Sequence, residues 1–389
     1  MAKKSVKKEI KKKTKKLKKI ISTIILVIVV ILALTCYFYP PLYNFLKGLF
    51  SSSDEPYYRV EGDTTFIEGD YMPDVKVHFV DVGQGDAIIV ELPDGKTVLI
   101  DAGEDNYSNL KSYIDDETDI DVFDYVIATH ADYDHIGNFD DLFADYQVKY
   151  VYRPYVKYSG SKGSFSTDFN QGASLYTQKS AAYYDFLTAI NNETYVENGE
   201  TKNCGWEFFT HKSDFSGKIS FKGQIYEYYF DFLTPTVDSY TKINYKNAND
   251  YSPIIKFSYQ GVDVMFTGDA EGSNEGDAED EFVEFYKNYL DVGVDVDVLK
   301  VSHHGSETST TQAFLDLVKP EYAVISCALT NSYNHPRQAV LDRLYNANCT
   351  FYRTDLHSDV VLSINSIGEF VFTPKILNPS GLLIGKDAV

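Results

Sequence analysis

Four short apolar runs in this chain stop at a residue that can ligate a metal. Val98-Leu-Ile stops at Asp101, Val126-Ile-Ala-Thr at His130, and Met265-Phe-Thr-Gly at Asp269. Val298-Leu-Lys-Val-Ser stops at His303-His304. Runs of this length and composition read as buried strands. In layered α/β folds the loops at carboxyl strand ends are free to carry function. Chance rarely places ligand-type side chains after so many independent strands. The pattern therefore asks for a sheet-based fold in which several strand ends meet at one place.

The surrounding sequence supplies the sheets. Val75–Gly83 and Ala87–Leu92 read as strands around the turn Gln84-Gly85-Asp86, and Pro93-Asp94-Gly95 turns into a third strand, Lys96–Asp101. Asn109–Tyr113 reads as helix. Later strands alternate with helical stretches at Glu281–Tyr289, Gln312–Val318 and Gln338–Tyr345. Val360–Asn365 and Glu369–Pro374 close as a hairpin. Hairpins first and alternation later suggest two sheets sandwiched between helices. Residues 155–230 break the rhythm with Tyr, Ser, Asn and Gly and one helical piece, Ala181–Ile190. They read as an insertion whose aromatic side chains pack a small core of their own, or else line a cleft.

Charge is unevenly spread. Residues 1–20 hold eleven lysines and one glutamate, a local +10, whereas the chain is −21, which leaves −31 elsewhere by subtraction. The uncharged stretch Ile20–Tyr39 follows. At helical rise it just spans a hydrocarbon core of roughly 30 Å. Tyr37-Phe38-Tyr39 closes it as an aromatic belt, and the lysines place the amino terminus in the cytoplasm. No small-x-small cleavage site follows, so an uncleaved anchor is favoured over a signal peptide. The expected order is a cytoplasmic segment (1–19), a transmembrane helix (20–39), a linker (40–74), an extracytoplasmic domain (75–376) and a tail (377–389). Cys204, Cys327 and Cys349 show no disulfide spacing and read as buried free thiols, so no disulfide-linked partner is expected.

His130, Asp132, Asp134 and His135 form H-x-D-x-D-H. A loop this tight can aim His130 and Asp132 at one centre and Asp134 and His135 at another. Two metals about 3.5–4 Å apart can then clamp a nucleophile and substrate oxygens. The competing reading is a helix start at which an aspartate caps, which leaves the two flanking histidines unexplained. Asp269 stands as a bridging carboxylate or a strand-end turn. His303-His304 suggests one ligand and one group facing the substrate.

The ordered set VHFVDVGQGDAIIV, LIDAG, THADYDHIGN, NDYS, FTGD, LKVSHHGS and YRTD resembles the metallo-β-lactamase superfamily. More narrowly, it resembles the hydrolase domain of ComEC-type competence proteins, over about Val75 to Pro374. The resemblance implies an αββα metallo-β-lactamase sandwich with a two-metal hydrolytic site. It makes His130, Asp132, Asp134, His135, Asp269 and His304 metal ligands, with Asp134 and His303 catalytic. Asp101 would support the site from behind. Two departures stand out. Asp132 occupies the place of the superfamily's commonest histidine, and Asn249-Asp250 stands where a further histidine is usual. One metal site is thus richer in oxygen, so the two divalent ions would be Zn or Mn.

Other residues carry weaker signals. Asp81 and Asp86 flank a turn and read as turn residues or site supports. Asn249, His335 and Asp355 are candidates for substrate or supporting contact. His78 reads as a packed strand residue, and His211 and His357 as surface residues.

A membrane-anchored phosphodiesterase acting on DNA is the function the resemblance implies. The −31 charge weighs against a polyanionic partner, whose affinity comes from Lys and Arg. The alternatives are a surface phosphodiesterase or esterase of teichoic-acid-type polymers or small phosphodiesters, and a non-catalytic binding protein that keeps the fold. The expected partners are the cytoplasmic membrane and a phosphodiester substrate.

Overall fold

The computed structural model describes residues 57–68, 72–104, 107–237, 239–287 and 293–376. The expected transmembrane helix, the lysine-rich segment and the tail lie outside them. Among the described residues no helix is long and apolar enough to cross a membrane.

Two mixed sheets form the middle of the domain. The eight-stranded sheet runs Gly205–Phe208, Gln147–Arg153, Val122–Ile127, Thr97–Ile100, Ile88–Glu91, Val75–Phe79, Val360–Ile364 and Phe370–Pro374. The nine-stranded sheet begins with the hairpins Tyr57–Glu61/Thr64–Glu68 and Phe215–Phe221/Gln224–Phe232. It continues through Ile255–Tyr259, Val262–Phe266, Val298–Lys300 and Tyr322–Ile325 to Thr350–Arg353.

Period-two alternation sorts each strand between two cores. Val98, Ile100 and Ile127 face Val264, Phe266 and Phe257 between the sheets. Leu99 and Val126 turn outward onto Leu110, Phe139 and Phe186, which come from the helices Tyr107–Glu117, Phe139–Asp145 and Ala181–Asn192. Met265, Leu299 and Ala323 turn outward on the other side, onto Phe282, Phe314 and Leu344 of the helices Ala278–Tyr286, Gln312–Val318 and Gln338–Asn346. Each fully buried side chain of this size contributes about 1.5–3 kcal/mol. The layers are helix, sheet, sheet, helix, as the resemblance implied.

Three expectations need correction. Residues 57–68 were read as part of a linker, yet they form a hairpin whose second strand pairs in parallel with Phe215–Phe221. Backbone groups at a sheet edge seek partners, and this hairpin covers one, so the domain starts at Tyr57. Residues 155–230, expected as an elaborated insertion within the domain, contribute strands to both sheets. Gly205–Phe208 extends the first sheet, and Phe215–Phe221 and Gln224–Phe232 belong to the second. Their aromatics pack: the buried Arg153 guanidinium lies 4.3–4.6 Å from the ring centroids of Phe169, Trp206 and Phe208. The third expected helix starts at Ala278, three residues before the expected Glu281.

The parallel strands set up the site. Thr97–Ile100, Val122–Ile127 and Gln147–Arg153 run parallel, and so do Val262–Phe266, Val298–Lys300, Tyr322–Ile325 and Thr350–Arg353. Within each group the carboxyl ends share one edge. Cys327 follows one strand and Cys349 precedes its parallel neighbour. Both are free and buried, as is Cys204.

Candidate metal centre

The strand Val122–Ile127 delivers His130 to the sheet edge, and a short helix, Tyr133–Ile136, follows. Asp132 occupies the N-cap position of that helix but makes no side-chain cap bond. Capping therefore does not account for this aspartate, and its carboxylate is available to the centre. The backbone is pinned from two sides. Ala102 N donates to His135 O at 2.8 Å, and Asp86 N to Asp134 O at 3.3 Å. Only glycine fits at Gly85, where a Cβ would lie 2.3 Å from Asp134 O.

Asp269 is the hub. Its Oδ1 lies 3.1 Å from His135 Nε2 and 3.5 Å from His304 Nε2. Its Oδ2 lies 3.7 Å from His303 Nε2 and 4.0 Å from His130 Nε2. His304 Nε2 is 3.3 Å from Asp134 Oδ2 and 3.2 Å from His135 Nε2. One ligand atom from each of Asp134, His135, Asp269 and His304 falls within 4.8 Å of the others. On the second side, Asp132 Oδ2 is 3.9 Å from His130 Nε2.

Hydrogen bonds behind the centre dictate the imidazole tautomers. His304 Nδ1 faces the carbonyl of Ser326 at 2.9 Å, and a carbonyl only accepts, so Nδ1 carries the proton. His135 Nδ1 donates to Asp101 Oδ2 at 2.7 Å. The same Oδ2 accepts the Thr129 hydroxyl at 2.6 Å. That hydroxyl, its own proton committed, accepts from His130 Nδ1 at 3.1 Å. In their neutral forms all three histidines therefore present an Nε2 lone pair towards Asp269, and one buried carboxylate, Asp101, sets two of them.

This arrangement fits divalent cations. His130 Nε2 and Asp269 Oδ1 are buried without a hydrogen-bond partner. Asp269 Oδ1 lies 3.1 Å from His135 Nε2. Against the cost of burial, this carboxylate, with Asp101, holds the His135 pKa well above the ordinary imidazole value, so a cation ligated by both would displace that proton. Burial, with His135 beside it, lowers the His130 pKa to about 4, so its ring is neutral and able to ligate. Burial, with Asp134 next to it, raises Asp132 to about 6. Such charge crowding is relieved when a cation displaces protons. A second group, Asp86, Asp101 and His135, is close enough to consider. Asp101 is committed as above, and Asp86 Oδ2 pairs with Lys300 Nζ at 2.8 Å.

The centre opens on one side. His130, His135, His304, Asp101 and Asp269 are buried, whereas the Asp132 side chain is 39% exposed and that of His303 21%. His303 and His304 both adopt left-handed backbone angles, with φ of 51° and 54°. Such conformations cost roughly 1–2 kcal/mol per residue and persist only when surroundings impose them. Glu279 imposes them here. Its buried carboxylate accepts from Thr310 N (2.6 Å), Ser302 Oγ (2.9 Å) and Thr311 N (3.1 Å), on both sides of the double-histidine turn.

The remaining candidates divide. Asn249 Nδ2 donates to Glu271 Oε1 at 3.1 Å and borders His303. The His335 ring lies 5.4 Å from that of His303. Asp81 is turned away. It accepts from Gly83 N, and its own N–H binds Asp359. Asp355 gives both oxygens to Arg353, at 3.0 and 2.6 Å. His78 is packed, bonded to Tyr113 and Glu91 at 2.8 Å each. His211 and His357 are not the surface residues expected. His211 is half-buried on Val237 O, and His357 is buried against the backbone of Arg353.

Sequence reasoning missed Glu279, the buried Asp86–Lys300 pair and Gln178. Gln178 Oε1 accepts from Lys179 N and Ser180 N, so its amide presents Nε2 to Ala131 O at 2.9 Å and Asp132 Oδ1 at 3.4 Å. No local motif marks these residues, since their roles arise from contacts between distant segments. Lys300, charged within an apolar strand, was the one visible signal.

The chain is 27% identical over 317 residues to ComE operon protein 3 of Bacillus subtilis (strain 168), covering 77% of this chain and 34% of that one. It therefore spans about a third of that relative's length. Competence protein ComA of Neisseria gonorrhoeae is 34% identical over 129 residues, covering 33% of this chain and 16% of the relative. Among solved structures, the short form of human tRNase Z aligns with a TM-score of 0.32 at 12% identity, covering 67% of this chain and 93% of the other. The model of the Metallo-beta-lactamase superfamily matches residues 80–213 and 249–328, more than half of the chain. The chain belongs to the metallo-β-lactamase superfamily and resembles the hydrolase domain of ComEC-type competence proteins.

Proposed function

We propose that this protein is a membrane-anchored, extracytoplasmic two-metal phosphodiesterase acting on DNA or another nucleic acid. The observation that carries the reading is the two-sided convergence on Asp269. One side offers Asp134, His135 and His304, and the other His130, Asp132 and the half-open His303. Two divalent cations, Zn or Mn, would supply an activated water and neutralise charge on phosphoryl oxygens. The chain's own residues do the rest. Asp134, His135 and His304 would hold one ion; His130 and Asp132 would hold the other, more oxygen-rich in its donors, and Asp269 would serve both. Asp101 keeps the Nε2 lone pairs aimed inward. Glu271 Oε1, 3.3 Å from His303 Nδ1, orients that ring, so Nε2 is the atom positioned to give a proton to the leaving oxygen.

The competence relatives support placing nucleic acid first among substrates. The apolar run 20–39 behind its lysine segment supports the anchor and an outward-facing domain. The −31 charge outside residues 1–20 favours a second reading, an enzyme of small or cell-surface phosphodiesters. The test is metal uptake by the full chain, then hydrolysis of bis-p-nitrophenyl phosphate and single-stranded DNA at low salt. Turnover of both, lost in Asp134→Ala, is expected. Cleavage of the small diester alone would sink the nuclease version. A folded chain that takes up neither Zn nor Mn would leave only a non-catalytic binding protein.

A further inference from the structure

The loop after the strand Tyr322–Ile325 reaches the open side of the centre. His335 lies on it, ring-to-ring 5.4 Å from His303 and 6.5 Å from His304. Tyr333 stacks on His335 at 5.6 Å with planes 24° apart, and it is 57% exposed. The loop is braced. Asn331 Nδ2 donates to Ala328 O and His335 O at 3.0 and 2.7 Å, and its Oδ1 accepts from His335 N at 2.9 Å. An exposed ring on a rigid mount binds at low entropic cost.

Arg337 lies two residues further on. The chain has five arginines. Arg59 faces Glu61, Arg153 sits among aromatic rings, Arg343 binds backbone carbonyls and Arg353 binds Asp355. Arg337 alone has no carboxylate, carbonyl or ring partner for its guanidinium among the described residues. Its backbone is tied to the double-histidine turn, Arg337 N donating to Gly305 O at 2.8 Å, and in a chain this acidic an uncommitted guanidinium on that loop calls for an anionic ligand.

We propose that Tyr333 and Arg337 form the strand-binding edge of the site, with Tyr333 stacking an unpaired base and Arg337 holding a neighbouring phosphate of single-stranded nucleic acid. This rests on the nucleic-acid reading above. Aromatic stacking tolerates any base, because each has a π-face. A base-free polymer would use Arg337 and ignore Tyr333.

The test is fluorescence anisotropy of the chelator-treated full chain in detergent, where no turnover is expected, with a labelled oligothymidylate and an abasic oligomer of equal length. Tyr333→Ala should weaken oligothymidylate binding by about ten-fold and leave abasic binding unchanged. Arg337→Gln should weaken both and lower the salt slope by about 0.7, one single-strand phosphate. Equal affinity of the unaltered protein for both strands, or no effect of Tyr333→Ala, would overturn the base platform. An unchanged salt slope in Arg337→Gln would overturn the phosphate contact. Failure of the unaltered chain to bind either strand or, with Mn²⁺ restored, to cleave any diester would instead strike the underlying reading.

Discussion

Asp101 offers the sharpest test of the centre, because two replacements should rank in opposite order for metal affinity and for stability. Its Oδ2 accepts the Thr129 hydroxyl and His135 Nδ1–H at 2.6 and 2.7 Å, and its Oδ1 accepts Thr129 N–H at 2.8 Å. In Asp101→Asn the amide oxygen can keep the Thr129 N–H bond, which places the NH2 where Oδ2 stood. A donor there forces His135 Nδ1 to accept and moves its proton to Nε2. The same NH2 donates to the Thr129 hydroxyl, which then gives its proton to His130 Nδ1. Both histidines lose their inward lone pairs. Supporting partners of ligating histidines are worth about 10- to 100-fold in metal affinity, so two inverted rings should lose about 100-fold or more. Asp101→Ala imposes no tautomer and should lose about ten-fold. Stability runs the other way. Asparagine accepts the left-handed φ of 58° at this position. Alanine leaves three buried donors unpaired at about 1–3 kcal/mol each and adds about 1 kcal/mol of backbone strain. Competition of the full-length variants against a chromophoric chelator, with thermal unfolding in parallel, reads both quantities. An Asp101→Asn protein that holds metal as tightly as Asp101→Ala would refute the tautomer argument.

Further outcomes follow from the same contacts. Lys300→Met strands the buried Asp86 carboxylate and should cost about 3–5 kcal/mol, most of it recovered in Asp86→Leu/Lys300→Met; chemical denaturation reads this. Burial raises the Glu279 carboxyl to about 7, from 4.5 for an ordinary glutamate. The folded chain therefore keeps a proton that the unfolded chain releases above about 4.5. Stability from this group is present below that pH, falls by about 3 kcal/mol as pH rises to 7, and is level above. Glu279→Gln cannot ionise, so its difference from the parent should change across that window in chelator-treated protein; a constant difference would refute the assignment. Chelation alone should lower Tm, since ions at 100 times Kd contribute about 2.7 kcal/mol of stability.

Much of this centre lies close together in sequence, which is why it could be read there. His130, Asp132, Asp134 and His135 share one loop, and Asp101, Asp269 and the histidine pair each end an apolar run. Strand periodicity and strand-end placement are local properties, so the helix–sheet–sheet–helix layering was legible with them. The hairpin Tyr57–Glu61/Thr64–Glu68 was not. Its Gly62-Asp63 turn is a fair signal, but its partner strand begins about 150 residues later, and only that pairing makes it part of a sheet. The strands between Gly205 and Phe232 were missed for the same reason.

The sequence alone determined which residue types reach the edge of the sheets, and how many carboxylates and imidazoles they bring. The tertiary structure decided what each one does there. His303 and His304 are adjacent and equivalent as text. Their successive left-handed angles, held by Glu279 from another helix, turn His304 into the buried cluster and leave His303 half-open beside Glu271. From the sequence Asp132 stands as a metal-ligand candidate with a helix cap as the competing reading, and only the structure shows that its side chain makes no cap bond and meets Gln178. Ligand geometry is fixed by side-chain direction and by hydrogen bonds between distant segments, and no local pattern of residues encodes those.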